Sequence, residues 1–460
     1  MLFEKAACSF RDPDGFVFWK DGHPYRQIHF SYREHYDHLL RSGLYEELVS
    51  SGLLIPHEEV CVEEARGFAP EAYKWIKPEK IPFVSYPYEW CFSQLKDAAL
   101  LTLQAFKRAL RHGMILKDGS AYNAQFHRGR PLFIDTLSFE KRGREGPWYG
   151  YGQFCRHFLA PLALMSFKDA SLGRLAELFI DGVPLPLASS LLPFGARFRW
   201  PLFLHLFLHA WGERHLGKPA QREKALGGKM SVRALEGLAE SLEEAIHALR
   251  PPSQGRWKSY EKDHPYSERA LESKRRIAAD YLKGMNGKTL WDLGANTGFY
   301  SRLASGLGWE VLSVDADAAC VEENYKECKR QGNAQLLPLW VDLANPSAGR
   351  GWCNKERFSL LERGPADAVM VLALLHHWRI GNRLPFDRMA SFLSHIGRHL
   401  IIEFVPRSDP KVCELLWIGQ SGFEDYTREN FEREFEKHFM IRETRDIEDS
   451  ERVLYRMEKR

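Results

Sequence analysis

A strand that runs into a glycine turn and then a helix, in Thr289–Ser301, is the feature that most constrains the fold of this 460-residue chain. The apolar run ends near Asp292, and Gly294 and Gly298 follow in the turn. Glycine adopts positive φ and lets the backbone approach a ligand closely. The helix after the turn presents free N–H groups and the positive end of its dipole. The segment therefore predicts a site for a polar or anionic ligand at the carboxyl edge of a parallel sheet.

Further apolar runs follow at intervals typical of alternating strands and helices. The second ends in Asp315, the third in Asp342, and the fourth leads into His376 and His377. A fifth contains Glu403. Carboxylates and imidazoles at successive strand ends meet at one edge of a parallel sheet, so these side chains favour one shared pocket.

The spacing Asp-Leu-Gly-x-x-x-Gly differs from the dinucleotide fingerprint G-x-G-x-x-G. It resembles motif I of the class I methyltransferases that use S-adenosylmethionine (SAM), and the resemblance extends from about residue 256 to the carboxyl terminus. It implies an α/β fold with a seven-stranded Rossmann-like sheet, helices on both faces, and SAM as the cofactor. In this family the second acid accepts the ribose hydroxyls and the third bonds the adenine amino group. The resemblance assigns cofactor binding to Asp292, Gly294, Ala295, Asn296, Gly298, Asp315, Ala316, Asp342 and Leu343.

The acceptor should arrive beside the residues that follow the fourth strand. Methyl transfer is an in-line displacement, so the enzyme mainly positions its reactants, and a protonated acceptor also needs a base. His376 and His377 are candidate bases for O- or N-methyl transfer, with packing as the alternative role. Glu403 is a further candidate, either as a base or as a group that orients the acceptor.

The acceptor class is narrowed by two observations. The sequence Ala-Leu-Leu-His-His after the fourth strand differs from the Asn/Asp-Pro-Pro-Tyr/Phe motif of methyltransferases that act on nucleobase or glutamine amino groups. The 64 basic residues balance 61 acidic ones, so no field indicates nucleic-acid binding. We expect an O- or N-atom of a small molecule or saccharide-linked metabolite, with a protein or RNA acceptor as the alternative. Leu400–Pro406 and Asp425–Thr427 resemble two-part bacterial methyltransferases, some associated with nodulation.

Cysteine usage and hydropathy favour a cytoplasmic protein. The eight cysteines form no C-x-x-C pair, so no metal site is indicated, and their dispersal fits reduced thiols. The longest apolar stretch, Trp200–Trp211, contains His205 and His209 and is too short to span a membrane. It predicts a buried helix.

The chain divides at Arg250–Arg256, where two prolines, a serine and a glycine predict a linker. We expect an amino-terminal α+β domain in residues 1–250, a linker and the helix before motif I in 251–288, and the methyltransferase domain in 289–460. Tyr260 and Tyr266 are candidates to line the methionine end of SAM or to pack against the sheet.

The amino-terminal domain carries a weaker resemblance. Asp21-Gly22 predicts the turn of a hairpin over Gly15–Ile28. Asp118, Asn123 and Asp135 are spaced in a way that resembles the catalytic loop and metal-binding Asp of kinase-like folds. The glycine-rich phosphate loop and the V-A-I-K lysine are missing. The domain is therefore expected to be a degenerate kinase-like or acceptor-binding domain, and a bifunctional kinase-like methyltransferase is the alternative.

Overall fold

A computed structural model describes residues 4–60, 72–143, 146–215, 230–251, 267–419 and 422–460. The chain forms two compact units. The first comprises Met1–Pro252 and Gly351–Arg357, and the second comprises Ser253–Arg350 and Phe358–Arg460. Tyr260 and Tyr266, which were candidates for the cofactor site, lie outside the described residues.

The strands of the described residues are β1 Glu4–Lys5, β2 Gly15–Lys20, β3 His23–His29, β4 His57–Glu59, β5 Ala72–Pro78, β6 Met114–Leu116, β7 Ala124–His127, β8 Arg130–Phe133, β9 Phe139–Lys141, β10 Thr289–Leu293, β11 Glu310–Asp315, β12 Leu336–Trp340, β13 Ala366–Val371, β14 Gly397–Phe404, β15 Phe439–Asp446 and β16 Val453–Lys459.

The α-helices of the same residues are α1 Arg33–Arg41, α2 Leu44–Ser50, α3 Phe92–Arg111, α4 Tyr151–Phe154, α5 Ala160–Phe167, α6 Leu175–Leu178, α7 Leu185–Leu191, α8 Trp200–Leu202, α9 His209–His215, α10 Val232–Ala248, α11 Glu268–Lys283, α12 Phe299–Gly306, α13 Ala318–Gln331, α14 Phe386–Ile396, α15 Pro410–Gly419 and α16 Arg428–Phe435. Short π-helical segments span Cys155–Leu159, Phe203–Leu208 and His377–Gly381.

The first unit opens with a five-stranded sheet in the order β1-β2-β3-β5-β4, whose neighbouring strands are antiparallel. The hairpin expected over Gly15–Ile28 is confirmed by the pairing of β2 with β3. Asp21 and Gly22 both have positive φ, as a tight two-residue hairpin turn requires. Two smaller antiparallel pairs follow, β6 with β9 and β7 with β8.

The apolar stretch Trp200–Trp211 forms α8, a π-helical segment and the start of α9. The expectation of a buried helix is wrong for one side of it. Leu206 and Ala210 are buried, but Trp200, Leu208 and Trp211 are exposed. The stretch is apolar all round, whereas the unit covers only one of its faces. None of the helices in the described ranges is long and apolar enough to cross a bilayer.

The second unit is an α/β domain, which confirms the expected class. Its seven-stranded sheet has the order β12-β11-β10-β13-β14-β16-β15. The first five strands are mutually parallel, and β16 and β15 close the sheet as an antiparallel pair. The chain progresses outward from β10 to β12 and then restarts on the other side at β13. This reversal places the topological switch point at the carboxyl ends of the neighbouring strands β10 and β13, where open α/β sheets bind ligands.

An aromatic cluster packs the helices α14 and α16 against the strands β14 and β16. Phe431 of α16 is fully buried, and its ring centroid lies 5.3 Å from Phe404 of β14, 5.1 Å from Tyr455 of β16 and 5.8 Å from Phe386 of α14. Aromatic rings at these separations bury large apolar areas and fix the positions of the elements that carry them.

Replacing Phe431 by alanine should lower the free energy of unfolding of the second unit by about 3–5 kcal/mol, because the change removes a fully buried ring and leaves a cavity. Urea denaturation measures the change. The control is Leu361→Ala, at a side chain that is 47% exposed, and it should stay within about 0.5 kcal/mol of the wild type. Equal losses in the two variants would contradict this account of the core.

Candidate active site

The turn after β10 is fastened to the neighbouring strand by backbone hydrogen bonds. The amides of Gly294 and Ala295 both donate to the carbonyl of Val314, at 2.8 and 3.0 Å. Gly294 has φ +76° and Asn296 has φ +50°, so this segment uses backbone conformations that glycine and asparagine tolerate. A Cβ on Gly294 would come within 3.1 Å of the Leu374 side chain. The turn therefore lies against the segment that follows β13.

Gly298 has a second reason to be glycine besides ligand approach. Its φ is +82°, and a Cβ there would stand 2.2 Å from Oδ1 of Asn324. Asn324 is buried on α13, and its Nδ2 donates to Ser313 Oγ at 2.8 Å. The glycine thus lets α12 start directly against the α13 side chain.

Asp292 lies beneath the turn, in the interior of the sheet. It is 2% exposed, and its Oδ2 accepts a 2.5 Å hydrogen bond from Ser301 Oγ of α12. The hydroxyl oxygen of Ser313 lies 2.9 Å from that of Ser301, which can accept its proton. Burial raises the pKa of Asp292 to about 7, against a smaller lowering by the Ser301 hydrogen bond. The side chain thus links β10 to the first turn of α12.

Asp315 stands at the end of β11 with its carboxylate fixed from both sides. Its Oδ2 accepts from the Asn296 amide at 2.7 Å, and its Oδ1 accepts from the Asp317 amide at 2.8 Å. Burial raises the pKa of Asp315 to about 6, although the two amides favour its ionised form. Each carboxylate oxygen has further lone pairs, so the group has capacity for additional donors.

The third strand end is more open. Asp342 follows β12 and is exposed, with Oδ1 accepting from the Ala344 amide at 2.9 Å in a local turn. Leu343 is half-buried and Ala316 is exposed. The Ala316 carbonyl accepts from Trp340 Nε1 at 2.9 Å, which joins the ends of β11 and β12.

The two histidines follow β13 and differ in environment. His376 is fully buried, and among the residues that the structure describes neither of its ring nitrogens has a hydrogen-bond partner. His377 is half-buried, begins the π-helical segment and has its ring 4.3 Å from that of His376. Burial lowers the pKa of His376 well below its ordinary value and that of His377 to about 4. Both rings are therefore neutral at pH 7.

Glu403 is fully buried and sits in a chain of ion pairs. Its Oε2 accepts from the Ala373 amide at 2.7 Å and lies 2.7 Å from Lys274 Nζ. Its Oε1 lies 3.4 Å from Nη1 of Arg452, whose Nε donates to Asp409 at 2.7 Å. Ala373 has φ +50°, an unusual conformation for alanine. The carboxylate thus holds the backbone directly after β13 in a bent form.

Lys274 and Arg452 are the residues of this site that the sequence reasoning missed. Lys274 is 3% exposed, and its Nζ lies 5.2 Å from the centre of the Tyr300 ring on α12. A signal for Lys274 was available, because it falls four residues after Ala270 and three before Ile277, on the apolar face of α11. A charged residue on such a face requires a partner inside the protein. Arg452 had no comparable pattern around it.

The buried Asp292 should give the protein a distinctive pH dependence. Because its pKa of about 7 in the native state lies above the ordinary value of 3.8, the native state keeps a proton that the unfolded state releases. The free energy of unfolding of the wild type, relative to Asp292→Asn, should therefore fall as pH rises from about 4 to about 7. The slope should reach about 1.4 kcal/mol per pH unit at most, and denaturation at several pH values measures it.

The matched control for this prediction is Asp367→Asn. Burial opposes ionisation of Asp367, but hydrogen bonds from Lys288 and Thr289 prevail and lower its pKa. Its contribution to stability is present above the unfolded pKa and is lost only in more acid solution. The wild type relative to Asp367→Asn should therefore show no fall between pH 4 and 7. A flat difference for Asp292→Asn would contradict its burial as an acid of raised pKa.

The chain is similar over its whole length to one curated protein. It is 31% identical to the nodulation protein NoeA of Rhizobium meliloti (strain 1021) over 463 residues, which span 99% of this chain and 96% of that protein. No family model matches the chain.

Three solved structures are similar to part of this chain. Magnesium protoporphyrin IX methyltransferase (ChlM) from Synechocystis PCC 6803 with bound SAH has TM-score 0.31 and 17% identity, over 45% of this chain and 93% of that one. N-methyltransferase NodS from Bradyrhizobium japonicum WM9 has TM-score 0.31 and 10% identity, over 42% and 98%. WbdD has TM-score 0.29 and 13% identity, over 41% of this chain and only 39% of its own length.

Because these TM-scores are low, the fold is assigned from the strand order of the sheet and not from these structures. The order β12-β11-β10-β13-β14-β16-β15, with the glycine turn after the central strand β10, confirms the resemblance to the class I methyltransferases.

Proposed function

The chain belongs to the family of the nodulation protein NoeA, and we propose that it transfers a methyl group from S-adenosylmethionine to a small acceptor. The observation that carries the proposal is the carboxylate of Asp315, fixed by two backbone amides beside the glycine turn at the switch point of the sheet. Such a fixed acceptor beside the first turn of a helix is what an adenosine ligand needs.

The residues at the three strand ends fit this cofactor. If SAM is bound, the oxygens of Asp315 would accept the ribose hydroxyls, and the exposed Asp342, with Leu343 and Ala316, would hold the adenine. Asp292 and Gly298 act from below, since they fix the start of α12 and with it the free amides of its first turn. When bound, SAM supplies an electrophilic methyl group on its sulfonium.

The proposed acceptor side of the site is built around the segment after β13. His377 is half-buried and neutral at pH 7, so it accepts a hydrogen bond from the acceptor hydroxyl or amine and orients its lone pair. Because the pKa of His377 is about 4, the imidazole is a weak base, and the proton released by the acceptor passes on to water. His376 is fully buried and supports His377 through ring contact.

For Glu403 the ion pairs favour a positioning role over proton transfer. Its two oxygens already receive Lys274, Arg452 and the Ala373 amide, and removing one partner of such a buried cluster is costly. We assign it to holding Ala373, and through that backbone the two histidines, at the mouth of the site.

The acceptor we propose is an O- or N-atom of a small molecule or saccharide-linked metabolite. The relative is named a nodulation protein, and we propose that the acceptor of this chain is likewise used in nodulation. The residues after β13 support a small acceptor, because they lack the motif of enzymes that methylate nucleobase or glutamine amino groups. A protein or RNA acceptor is the alternative.

Asp315→Asn should weaken SAM binding by about 10- to 100-fold, because the amide group replaces one of the two charge-assisted acceptors for the ribose. Isothermal titration with SAM measures the loss. Methyl transfer from radiolabelled SAM to components of a bacterial extract should fall in parallel, and the labelled product identifies the acceptor.

Asp367→Asn is the matched control for this titration. Asp367 also accepts two backbone amides, from Lys288 and Thr289, but it lies at the opposite end of the sheet, at the start of β13. It should bind SAM as the wild type does. Unchanged affinity in Asp315→Asn, or equal losses in both variants, would refute the placement of the cofactor.

The first unit offers a second candidate function, phosphotransfer. Asp118 and Asn123 lie in the connection from β6 to β7, and Asp135 follows β8. Ser138 Oγ joins two of them, since it accepts from Asn123 at 3.1 Å and donates to Asp135 at 2.9 Å. This clustering supports a kinase-like layout for the unit.

One side chain in the same cluster argues against activity. Arg26 of β3 lies 3.1 Å from Oδ1 of Asp135 and 2.5 Å from Oδ2 of Asp12. Its guanidinium thus occupies acidic oxygens that a magnesium ion would require. Within the described ranges, no group of three or more His, Cys, Asp or Glu side chains is arranged to hold a metal. We therefore propose a degenerate kinase-like unit that serves the acceptor.

Titration of the full chain with ATP and magnesium should show no binding that depends on Asp135. The physical reason is that Arg26 neutralises this carboxylate and occupies its oxygen. Magnesium-dependent ATP binding that is lost in Asp135→Asn would instead establish the bifunctional alternative.

A further inference from the structure

The first unit exposes a group of large apolar side chains around α8 and α9. We define the aromatic face as Phe194, Phe198, Trp200, Leu208 and Trp211, whose exposed fractions are 69%, 77%, 69%, 44% and 53%. Isolated exposed apolar residues are ordinary, but a set concentrated in 18 consecutive residues is a signature of an interaction surface.

The aromatic face belongs to elements that are anchored from behind. His205, on the buried side of the same helical run, is fully buried between the Tyr151 hydroxyl and Ser241 Oγ, each at 2.9 Å from a ring nitrogen. Leu206 and Ala210 are buried on that side as well. The helical run is therefore held in place by one face, and its other apolar face is presented to solvent.

The chain segment that carries the aromatic face has charges of one sign. Between Asp181 and Glu213 the sequence contains no acidic residue, whereas Arg197 and Arg199 are exposed among the aromatic residues. Glu213 at the end of this segment is mostly buried and lies 3.6 Å from Arg156. An apolar segment that carries arginines and no acid of its own matches the chemistry of a membrane surface that carries negative charge.

The guanidinium groups of the two arginines lie over aromatic rings. The Arg197 guanidinium lies 5.5 Å from the Phe194 ring and 5.4 Å from the Phe207 ring, and that of Arg199 lies 4.8 Å from the Phe167 ring. Such cation–π contacts hold the positive charges of the arginines at the aromatic surface. Tryptophan and arginine together are typical of the interface between lipid headgroups and acyl chains.

We propose that the aromatic face binds the surface of an anionic phospholipid bilayer, with the aromatic rings in the interface and Arg197 and Arg199 on lipid phosphates. The helical run lies in the membrane plane, since it is too short to cross. A second copy of this chain is the less suitable occupant, because two such faces would bring like charges together without acids between them. The proposal is independent of SAM binding.

The experiment is co-sedimentation of the full chain with large unilamellar vesicles. One preparation is phosphatidylcholine alone, and the other contains about one-third phosphatidylglycerol. The wild type should sediment with the anionic vesicles, and less so as salt is raised, because salt screens the arginine contacts. The variant Phe198→Ser, Trp200→Ser, Trp211→Ser should bind about tenfold more weakly or worse, since membrane affinity scales with the apolar area inserted.

Two control variants separate this effect from the general stickiness of tryptophan. Trp352→Ser and Trp417→Ser remove tryptophans that are 70% and 90% exposed and lie outside the aromatic face, and both should bind as the wild type does. The double variant Arg197→Gln, Arg199→Gln should lose the preference for anionic vesicles. Circular dichroism and melting temperature establish that each variant is folded, which is expected because the replaced side chains are largely exposed.

Three outcomes would overturn the proposal. The wild type would remain in the supernatant with both vesicle preparations, or the control variants would lose binding as much as the triple variant does. In the third outcome, the wild type would not bind vesicles, and analytical ultracentrifugation would show that the wild type is a dimer and the triple variant a monomer. That last result would identify the aromatic face as a contact between two copies of the chain.

Discussion

The second unit depends on the way one short turn is bonded to its neighbouring strand. Gly294, Ala295 and Asn296 donate three successive amides to the end of β11, two to a carbonyl and one to the carboxylate of Asp315. These bonds set the path of the chain between β10 and α12, and hence the direction in which the first amides of α12 point. In the function that we propose, the same carboxylate also receives the ribose of the cofactor, so that one side chain serves both structure and binding.

Buried polar groups beneath and beside this turn fix the positions of the backbone segments around it. Asp292 is held at raised pKa under the turn, and Glu403 is held between Lys274 and Arg452. Buried ion clusters contribute uncertain net stability, since desolvation offsets attraction, but they specify geometry strongly. Here the specified geometry is the bent backbone at Ala373. We regard this as the reason that charged residues are present where apolar ones would pack.

In the first unit, an ion pair engages one residue of a cluster whose spacing resembles that of a kinase-like catalytic loop. Asp118, Asn123 and Asp135 are spaced along the chain as in kinase-like folds, yet Arg26 is paired with Asp135. A guanidinium and a magnesium ion compete for the same oxygens, so the pairing opposes metal binding. The exposed aromatic face of the same unit instead indicates a surface role, which no spacing rule applied to the sequence had suggested.

The sequence alone determined the α/β class of the second unit, the position of the glycine turn and the acids at the strand ends, because these follow from local periodicity and from conformations only certain residues adopt. It gave the hairpin at Asp21-Gly22 for the same reason. Only the tertiary structure decided which charges meet. Lys274 reaches Glu403 across 129 positions of the chain, and Arg26 reaches Asp135 across 109. It also decided that Trp200–Trp211 is covered on one face alone, since burial depends on what packs against a helix and not on its own composition.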